Sequence, residues 1–134
     1  MTKKEQAIAL HDKNYNCCQA VACAFASEIG VPAETLFRAG EAFGLGMGCM
    51  NCTCGALSGA VMLAGFCHSD GNTEAPSTKA GTYQLSKELV NRFQQKNGST
   101  VCRELKGIET GKPLRSCVGC IEDGVELVQE VLGL

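Results

Sequence analysis

Three pairs of residues place a helix-capping residue directly before a cysteine: Asn16-Cys17, Thr53-Cys54 and Ser116-Cys117. Asn, Thr and Ser are favoured N-caps because their side chains accept hydrogen bonds from the free backbone N–H groups of the first turn. We therefore expect each of these cysteines to be the first residue of a helix. The positive end of the helix dipole favours thiolate over thiol at that position, which suits metal ligation or redox chemistry.

A fourth cysteine, Cys102, follows Ser99-Thr100-Val101 and lies in the first turn of a shorter predicted helix. Four thiolates that converge on one point can hold a soft cation or an iron–sulfur cluster. Further cysteines in the segments 49–54 and 117–120 have the spacing of metal loops or redox dithiols. The candidate cofactor-binding residues, which are also the candidate metal ligands, are Cys17, Cys54, Cys102, Cys117, Cys49, Cys52 and Cys120.

The composition bounds the class of protein and its location. The chain has 134 residues and is 45% hydrophobic, which is enough for one domain with a core. Its net charge is -2 with both signs scattered, so we expect no nucleic-acid partner. The longest apolar stretch, 55–67, is too short to span a membrane, and the N-terminus has no apolar signal segment. We therefore expect a cytoplasmic protein, in which ten cysteines favour metal or redox chemistry over structural disulfides.

The spacing of the apolar residues predicts helices, short loops and no strands. The predicted helices cover residues 3–13, 17–29, 33–43, 54–67, 78–97, 102–106 and 117–132. Short connections make neighbouring helices antiparallel, so the four helix starts that carry cysteines meet at one end. The sequence therefore predicts an all-α, single-domain antiparallel bundle of about five to seven helices with a cysteine cluster at one pole. This cysteine-rich redox domain spans residues 1–134.

Glycines and one further cysteine refine this expectation. Gly55 and Gly59 share one face of the helix predicted to start at Cys54. In a helix interior, each glycine lowers the stability of the helix by about 1 kcal/mol relative to alanine. Such a pair lets another backbone or a bulky group approach closely. The segment 44–53 contains three glycines and is expected to be a loop. The absence of side chains at these glycines would let the backbone of the loop come close to another group. Cys23 lies across its helix from the apolar stripe, so we expect it only to fill space.

The segment Cys54-Gly55-Ala56-Leu57-Ser58-Gly59 matches a CGAxxG motif, and the chain resembles the small family of redox-active proteins that carries this motif. The family's four hallmark cysteines correspond in this chain to Cys17, Cys54, Cys102 and Cys117. The resemblance covers nearly the whole chain. A similar domain of split-Soret cytochrome c goes with an iron–sulfur centre, so the resemblance implies iron–sulfur redox chemistry here.

The resemblance implies no haem, because Ile121 follows Cys120 and no CxxCH is present. The surplus cysteines leave the type of iron–sulfur cluster open, including a cluster of high nuclearity or more than one cluster. From the residues alone, zinc is the alternative cofactor. The alternative functions are a metal-free dithiol–disulfide reductant and a zinc-binding structural or trafficking protein.

The sequence shows no acid–base pair and no nucleophile triad, so we assign no catalytic residue. We expect an electron carrier or redox sensor more than an enzyme with its own substrate. Such a protein exchanges electrons with a redox partner protein, whose identity the sequence does not give. A homodimer is compatible with the sequence, whereas nucleic-acid binding and membrane insertion are not expected.

Overall fold

Eight right-handed α-helices make up the structure, a computed structural model that describes residues 1–134. They are α1 (Lys3–Asp12), α2 (Cys17–Cys23), α3 (Ala26–Ile29), α4 (Ala33–Gly40), α5 (Gly55–His68), α6 (Lys79–Asn97), α7 (Cys102–Lys106) and α8 (Cys117–Leu127). A 3-10 turn, Glu41–Phe43, continues α4, and a π-helical turn, Val128–Leu132, continues α8. The predicted all-α class is confirmed, and no helix combines the length and the hydropathy needed to cross a bilayer.

Two of the three predicted helix caps are present. Asn16 caps α2, because its side-chain oxygen accepts a hydrogen bond from the Gln19 N–H at 2.9 Å. The Gln19 side chain in turn accepts from the Asn16 N–H at 2.9 Å, which completes a capping box. Ser116 caps α8 by accepting from the Gly119 N–H at 3.0 Å. The cysteine after each cap is therefore the first residue of its helix, as predicted.

The third predicted cap, Thr53, is wrong. Cys54 occupies the N-cap position itself, and α5 begins at Gly55. Thr53 pairs instead with Val101 in an isolated antiparallel β-bridge. Because this bridge commits the backbone of Thr53 to a distant segment, the helix begins one residue later than the sequence predicts.

The bridge ties the segment before α5 to the start of α7. The Cys54 N–H donates to the Thr100 carbonyl at 2.8 Å, and the Cys102 N–H donates to the Cys52 carbonyl at 2.9 Å. Cys102 is the first residue of α7, whose N-cap, Val101, has no capping side chain. The hydrogen bond from Cys102 thus satisfies a free N–H of α7, and the two bonds fix the starts of α5 and α7 beside each other.

The predicted helix 17–29 is broken into α2 and α3, which gives one helix more than predicted. Phe25 leaves the helical region with φ -109° and ψ 13°. Its N–H donates to the Ala22 carbonyl at 3.1 Å, three residues back, so the backbone tightens there into a 3-10 turn. The Phe25 ring is fully buried, so packing in the core outweighs the helical periodicity of this segment.

The central helix α5 packs against α2, α6 and α8. The approach to α2 is close because Gly59 lacks a side chain, and an added Cβ would lie 2.8 Å from the Cys18 carbonyl oxygen. Gly55 is also closely packed, because a Cβ added at this position would lie 3.1 Å from the Cys18 backbone nitrogen. The predicted approach of another backbone to this face is confirmed, and it sets the first turns of α2 and α5 side by side. The core around α5 is aliphatic and aromatic, with full burial of Phe25, Leu57, Leu63, Phe93 and Ile121.

Candidate functional site

One cavity of about 200 Å³ lies where the starts of α2, α5, α7 and α8 meet. Five thiols line it: Cys17, Cys54, Cys102, Cys117 and Cys120. Cys17 and Cys117 are half-buried, and the other three are buried. The predicted convergence of four cysteine-bearing helix starts at one pole is confirmed. We call this space the cysteine cavity.

Cys49 and Cys52, which the sequence places among the candidate ligands, lie outside the cysteine cavity. Cys49 is exposed, and its Sγ lies 3.7 Å from the Gly46 carbonyl oxygen in its own loop. Cys52 is half-buried and is tied to the site through its backbone, by the hydrogen bond from Cys102. The metal-loop spacing of these two cysteines therefore does not bring their thiols to the other five.

The remaining cysteines also lie away from the cavity. Cys18 is fully buried and packs against Gly40, whose added Cβ would lie 3.2 Å from the Cys18 Sγ. Cys23 is half-buried, with its Sγ 3.6 Å from the Ala33 carbonyl oxygen, in line with the space-filling role predicted for it. Cys67 is exposed near the end of α5.

The wall of the cavity beside Cys102 is a left-handed turn of the backbone. Four consecutive residues, Leu45–Gly48, have φ values of 56°, 57°, 64° and 79°. The N–H of the last of them donates to the Gly44 carbonyl at 2.8 Å and closes the turn. Left-handed backbone costs roughly 1–2 kcal/mol at each non-glycine residue, and this turn contains two of them. Strain is therefore stored directly beside the thiols.

This turn presents Leu45 to the cavity and brings Gly46 against Cys102. An added Cβ at Gly46 would lie 2.5 Å from the Cys102 Cβ, so both the positive φ and the contact require glycine. Leu45 is 48% exposed, so its side chain forms a rim between the thiols and solvent. The expected close approach of this glycine-rich segment is confirmed, and its partner is the start of α7.

Three basic side chains line the cavity together with the thiols: His11, Lys106 and Arg115. Lys106 donates from Nζ to the Cys117 Sγ at 3.2 Å. This hydrogen bond raises the pKa of Lys106, because the sulfur stabilises the charged ammonium group. Lys106 thus supplies a positive charge within the group of thiols.

Arg115 is held at the cavity by a buried carboxylate. Its Nε and Nη2 atoms donate to the two oxygens of Asp123 at 3.0 Å and 3.2 Å. The Asp123 side chain is only 3% exposed and also pairs with the Lys96 Nζ at 3.2 Å. Because a bidentate pair fixes the plane of the guanidinium group, Arg115 is kept at the edge of the cavity.

Burial and hydrogen bonding divide the thiols by acidity. Burial, with smaller effects of the neighbouring Cys54 and Cys117, raises the pKa of Cys17 to about 12. Burial also raises the pKa of Cys102. The pKa of Cys54 is lowered to about 7, chiefly because hydrogen bonding with the neighbouring Cys120 stabilises the thiolate. The interaction with Cys54 and burial both raise the pKa of Cys120.

The start of α5 adds to the stabilisation of the Cys54 thiolate. The backbone N–H groups of Ala56 and Leu57 face the sulfur and, with Lys106, contribute to this lowered pKa of Cys54. Neither N–H reaches the geometry of a cap hydrogen bond, so their effect is that of the positive field at the helix start. The site thus combines one acidic thiol, four further thiols and nearby cations, a set suited to cluster ligation or disulfide exchange.

The predictions from the sequence do not include the three basic residues of the cavity, His11, Lys106 and Arg115. Lys106 follows Cys102 by four residues, so both lie on one face of α7, and this spacing is a usable signal. Arg115 directly precedes the Ser116-Cys117 pair, which is a weaker signal. His11 lies on α1, and no pattern in its surroundings points toward the cysteines.

No curated protein and no solved structure shows a significant match. A family model described as "Putative redox-active protein (C_GCAxxG_C_C)" matches residues 15–131, which contain all five thiols of the cysteine cavity. Where the pattern in the family's name reads GCAxxG, this chain reads Cys54-Gly55-Ala56-Leu57-Ser58-Gly59. The match covers nearly the whole chain, which therefore belongs to the C_GCAxxG_C_C family of redox-active proteins.

Proposed function

We propose that this protein binds an iron–sulfur cluster in the cysteine cavity and acts in electron transfer or redox sensing. The observation that carries the proposal is the convergence of thiols from four separate helix starts on one cavity. Cysteine thiolates are the usual ligands of iron–sulfur clusters, with four for a [2Fe–2S] or a [4Fe–4S] cluster. Membership of a redox-active family supports the same chemistry.

The proposed ligand set takes one cysteine from each of the four helix starts. Its members are Cys17, Cys54, Cys102 and Cys117. Cys120 also lines the cavity, as a fifth thiol beyond the four that such a cluster needs. We exclude Cys49 and Cys52 from the set, because they lie outside the cavity.

The size of the cavity favours a cluster over a single zinc ion. With Zn–S bonds of about 2.3 Å, the sulfurs of a tetrahedral zinc site lie about 3.8 Å apart. No group of three or more Cys, His, Asp or Glu side chains in the structure is spaced to hold one metal ion. The thiols instead surround a space of about 200 Å³, which suits a polynuclear cluster.

The residues around the thiols offset the charge that thiolate ligands bring into a buried site. Charge buried without compensation is costly, so cationic groups at the cavity stabilise the ligated state. Lys106 lies 3.2 Å from the Cys117 sulfur, and Arg115 stands at the edge of the cavity. A bound cluster supplies one-electron transfer. The chain holds it, shields it from water with Leu45, and sets its potential through charges and hydrogen bonds near the sulfurs.

The proposal is tested by purifying the protein without oxygen and by reconstituting the metal-free chain with ferrous iron and sulfide. We expect brown protein that contains iron and acid-labile sulfide. The Cys23→Ser variant is a matched control, since Cys23 lies outside the cavity, and it should retain the wild-type iron content. Colourless protein with stoichiometric zinc, or a chain that takes up no iron on reconstitution, would contradict the proposal.

A further inference from the structure

The left-handed turn of the backbone covers one thiol of the cysteine cavity. Gly46 lies directly against Cys102, so that a Cβ added at Gly46 would be 2.5 Å from the Cys102 Cβ and 3.4 Å from its Sγ. Leu45 lines the cavity beside it. Cys102 is buried, and residues 45–48 stand between it and solvent. We call these four residues the lid.

The lid is fastened at both of its ends. Before it, Gly44 is buried against the side chain of Asn16, the residue that caps α2. After it, the Met50 carbonyl accepts a hydrogen bond from the Arg103 N–H at 2.8 Å. These contacts fix the flanking residues to α2 and α7, so a movement of the lid takes place between two fixed points.

Few interactions hold the middle of the lid in place. Its hydrogen bonds are made by backbone groups close to each other in sequence. The Gly48 N–H donates to the Gly44 carbonyl at 2.8 Å, and the Leu45 carbonyl accepts from the Met50 N–H at 2.8 Å. Leu45 and Met47 are each 48% exposed, so their side chains bury little apolar surface. Segments with local hydrogen bonds and few buried apolar contacts open at a small cost in free energy.

Strain in the backbone of the lid also favours its opening. All four lid residues have positive φ, and two of them, Leu45 and Met47, carry a Cβ that crowds the following carbonyl oxygen. The turn therefore stores strain while it is closed and releases this strain when it opens. Such strain persists only where the surrounding structure enforces it, and here the two fastened ends do so.

We propose that the lid opens by local release of the left-handed turn and thereby exposes Cys102 to small solutes, while the helices stay folded. Opening withdraws Gly46 from Cys102, and closing restores the contact. This control of access goes beyond the proposed function and does not depend on a bound cluster. The same opening would admit iron and sulfide to the cavity, and that consequence alone rests on the proposed function.

The test measures how fast N-ethylmaleimide modifies Cys102 in reduced, metal-free protein, by peptide mass spectrometry at low conversion. At low reagent concentration, this rate is proportional to the fraction of the protein in which the lid is open. Every protein compared carries Cys49→Ser, because Cys49 is exposed beside the lid and its modification could disturb the turn. The exposed Cys67 reports the reactivity of the reagent, and the fully buried Cys18 reports global unfolding.

The decisive variant is Gly48→Ala, which adds strain to the lid without a new contact. The φ of Gly48 is 79°, and an added Cβ meets nothing within 4 Å. We expect Cys102 to react roughly five- to thirty-fold faster in this variant. Gly71→Ala is the matched control, since Gly71 has a φ of 68° and equally free surroundings but lies beyond the far end of α5. It should leave the Cys102 rate unchanged.

A second pair of variants relieves strain in the lid. Met47→Gly and Met47→Ala both remove the exposed thioether side chain, and only glycine also removes the Cβ that opposes a φ of 64°. Cys102 should react more slowly in Met47→Gly than in Met47→Ala, by a factor comparable to the acceleration in Gly48→Ala. This pair keeps the proposal testable if Gly48→Ala does not fold.

Low concentrations of urea separate opening of the lid from global unfolding. Local opening exposes little surface, so the Cys102 rate should hardly depend on urea, whereas the Cys18 rate should rise steeply. Equal Cys102 rates in wild type and Gly48→Ala would overturn the proposal, because the lid would then not control this thiol. A Cys102 rate that follows Cys18 in urea, or that rises equally in Gly71→Ala, would overturn it by showing that only unfolding exposes Cys102.

The outcome is independent of the proposed function, because no measurement uses iron. Protein whose Cys102 responds to the lid variants but that never binds iron would contradict the cluster alone. Iron-binding protein whose metal-free form shows no response to these variants would contradict the lid alone.

Discussion

Lys106 places its ammonium group 3.2 Å from the sulfur of Cys117. Lys106 is the last residue of the short helix α7, and Cys117 is the first residue of α8. The contact therefore joins two of the helices whose starts surround the cysteine cavity. A hydrogen bond and a positive charge at a ligand sulfur stabilise the reduced, more negative state of an iron–sulfur cluster. Lys106 should therefore raise the reduction potential of the proposed cluster.

Replacing Lys106 with methionine tests this effect, because methionine keeps an unbranched side chain and removes the charge. We expect Lys106→Met to lower the midpoint potential of the reconstituted protein, measured by redox titration in the visible range. Lys112→Met is the matched control, since Lys112 is exposed and lies outside the cavity. A midpoint equal to that of wild type would mean that this lysine does not act on the cluster.

The proposed ligands should be distinguishable from the other cysteines by iron content. Serine at any one of the four should remove most of the bound iron or change the visible spectrum. These four are Cys17, Cys54, Cys102 and Cys117. Cys67→Ser should retain the wild-type content, because Cys67 is exposed near the end of α5. Circular dichroism confirms that each variant is folded, and full iron content in a folded Cys17→Ser protein would remove Cys17 from the ligand set.

Two glycines of α5 should respond oppositely to alanine. Gly59→Ala places a Cβ 2.8 Å from the Cys18 carbonyl oxygen, a backbone atom that cannot move aside easily. We expect it to lower the free energy of unfolding by about 1–3 kcal/mol. Gly65→Ala meets nothing within 4 Å and should raise that free energy by up to about 1 kcal/mol. Urea unfolding of the metal-free proteins measures both, and equal effects would show that α2 and α5 are not in close contact.

Two glycines of the left-handed turn provide a similar comparison. Gly46 and Gly48 have φ values of 57° and 79°, so alanine at either position costs roughly 1–2 kcal/mol in backbone strain. Only Gly46→Ala also meets the Cys102 Cβ, at 2.5 Å, whereas Gly48→Ala meets nothing within 4 Å. We expect Gly46→Ala to be the more destabilising of the two and to change the visible spectrum of the reconstituted protein. A spectrum that changes equally in both variants would argue against contact between this turn and Cys102.

The buried Cys18 should make the metal-free protein less stable at alkaline pH. Burial raises the pKa of Cys18 from 9.0 to about 12. The unfolded chain loses this proton near its ordinary pKa while the folded chain keeps it, so the stabilisation is complete below pH 9.0 and declines as pH rises toward 12. Cys18→Ala should flatten this decline in urea unfolding, and Cys49→Ala, at an exposed site, should not. Identical pH slopes in the two variants would contradict the assignment.

The parts of the fold that depend on neighbouring residues could be predicted from the sequence. Asn16 and Ser116 cap their helices because a capping side chain needs only an N–H three residues ahead. Short loops then fix the helices as antiparallel, which was enough to predict the meeting of the cysteines at one pole. The glycine pair of α5 indicated a close backbone contact for the same local reason, since a missing side chain leaves room whatever the partner.

The parts that depend on distant residues could not be predicted. Thr53 pairs with Val101 and is thereby withdrawn from capping, and nothing near Thr53 indicates this partner. The close approach of Gly124 to the Ala56 carbonyl oxygen likewise depends on how α5 crosses α8. Three glycines predict a loop over 44–53 but not its left-handed course, because glycine permits that course without requiring it.

The bridge between Thr53 and Val101 also bears on when the cysteine cavity comes into existence during folding. It joins segments that the whole of α5 and α6 separates along the chain. Closing so long a loop costs chain entropy, and the packing of the helices in the core compensates for it. Cys54 and Cys102 therefore become neighbours late. A partly folded chain presents scattered thiols without chelating geometry, so iron meets a complete site only after the fold is formed.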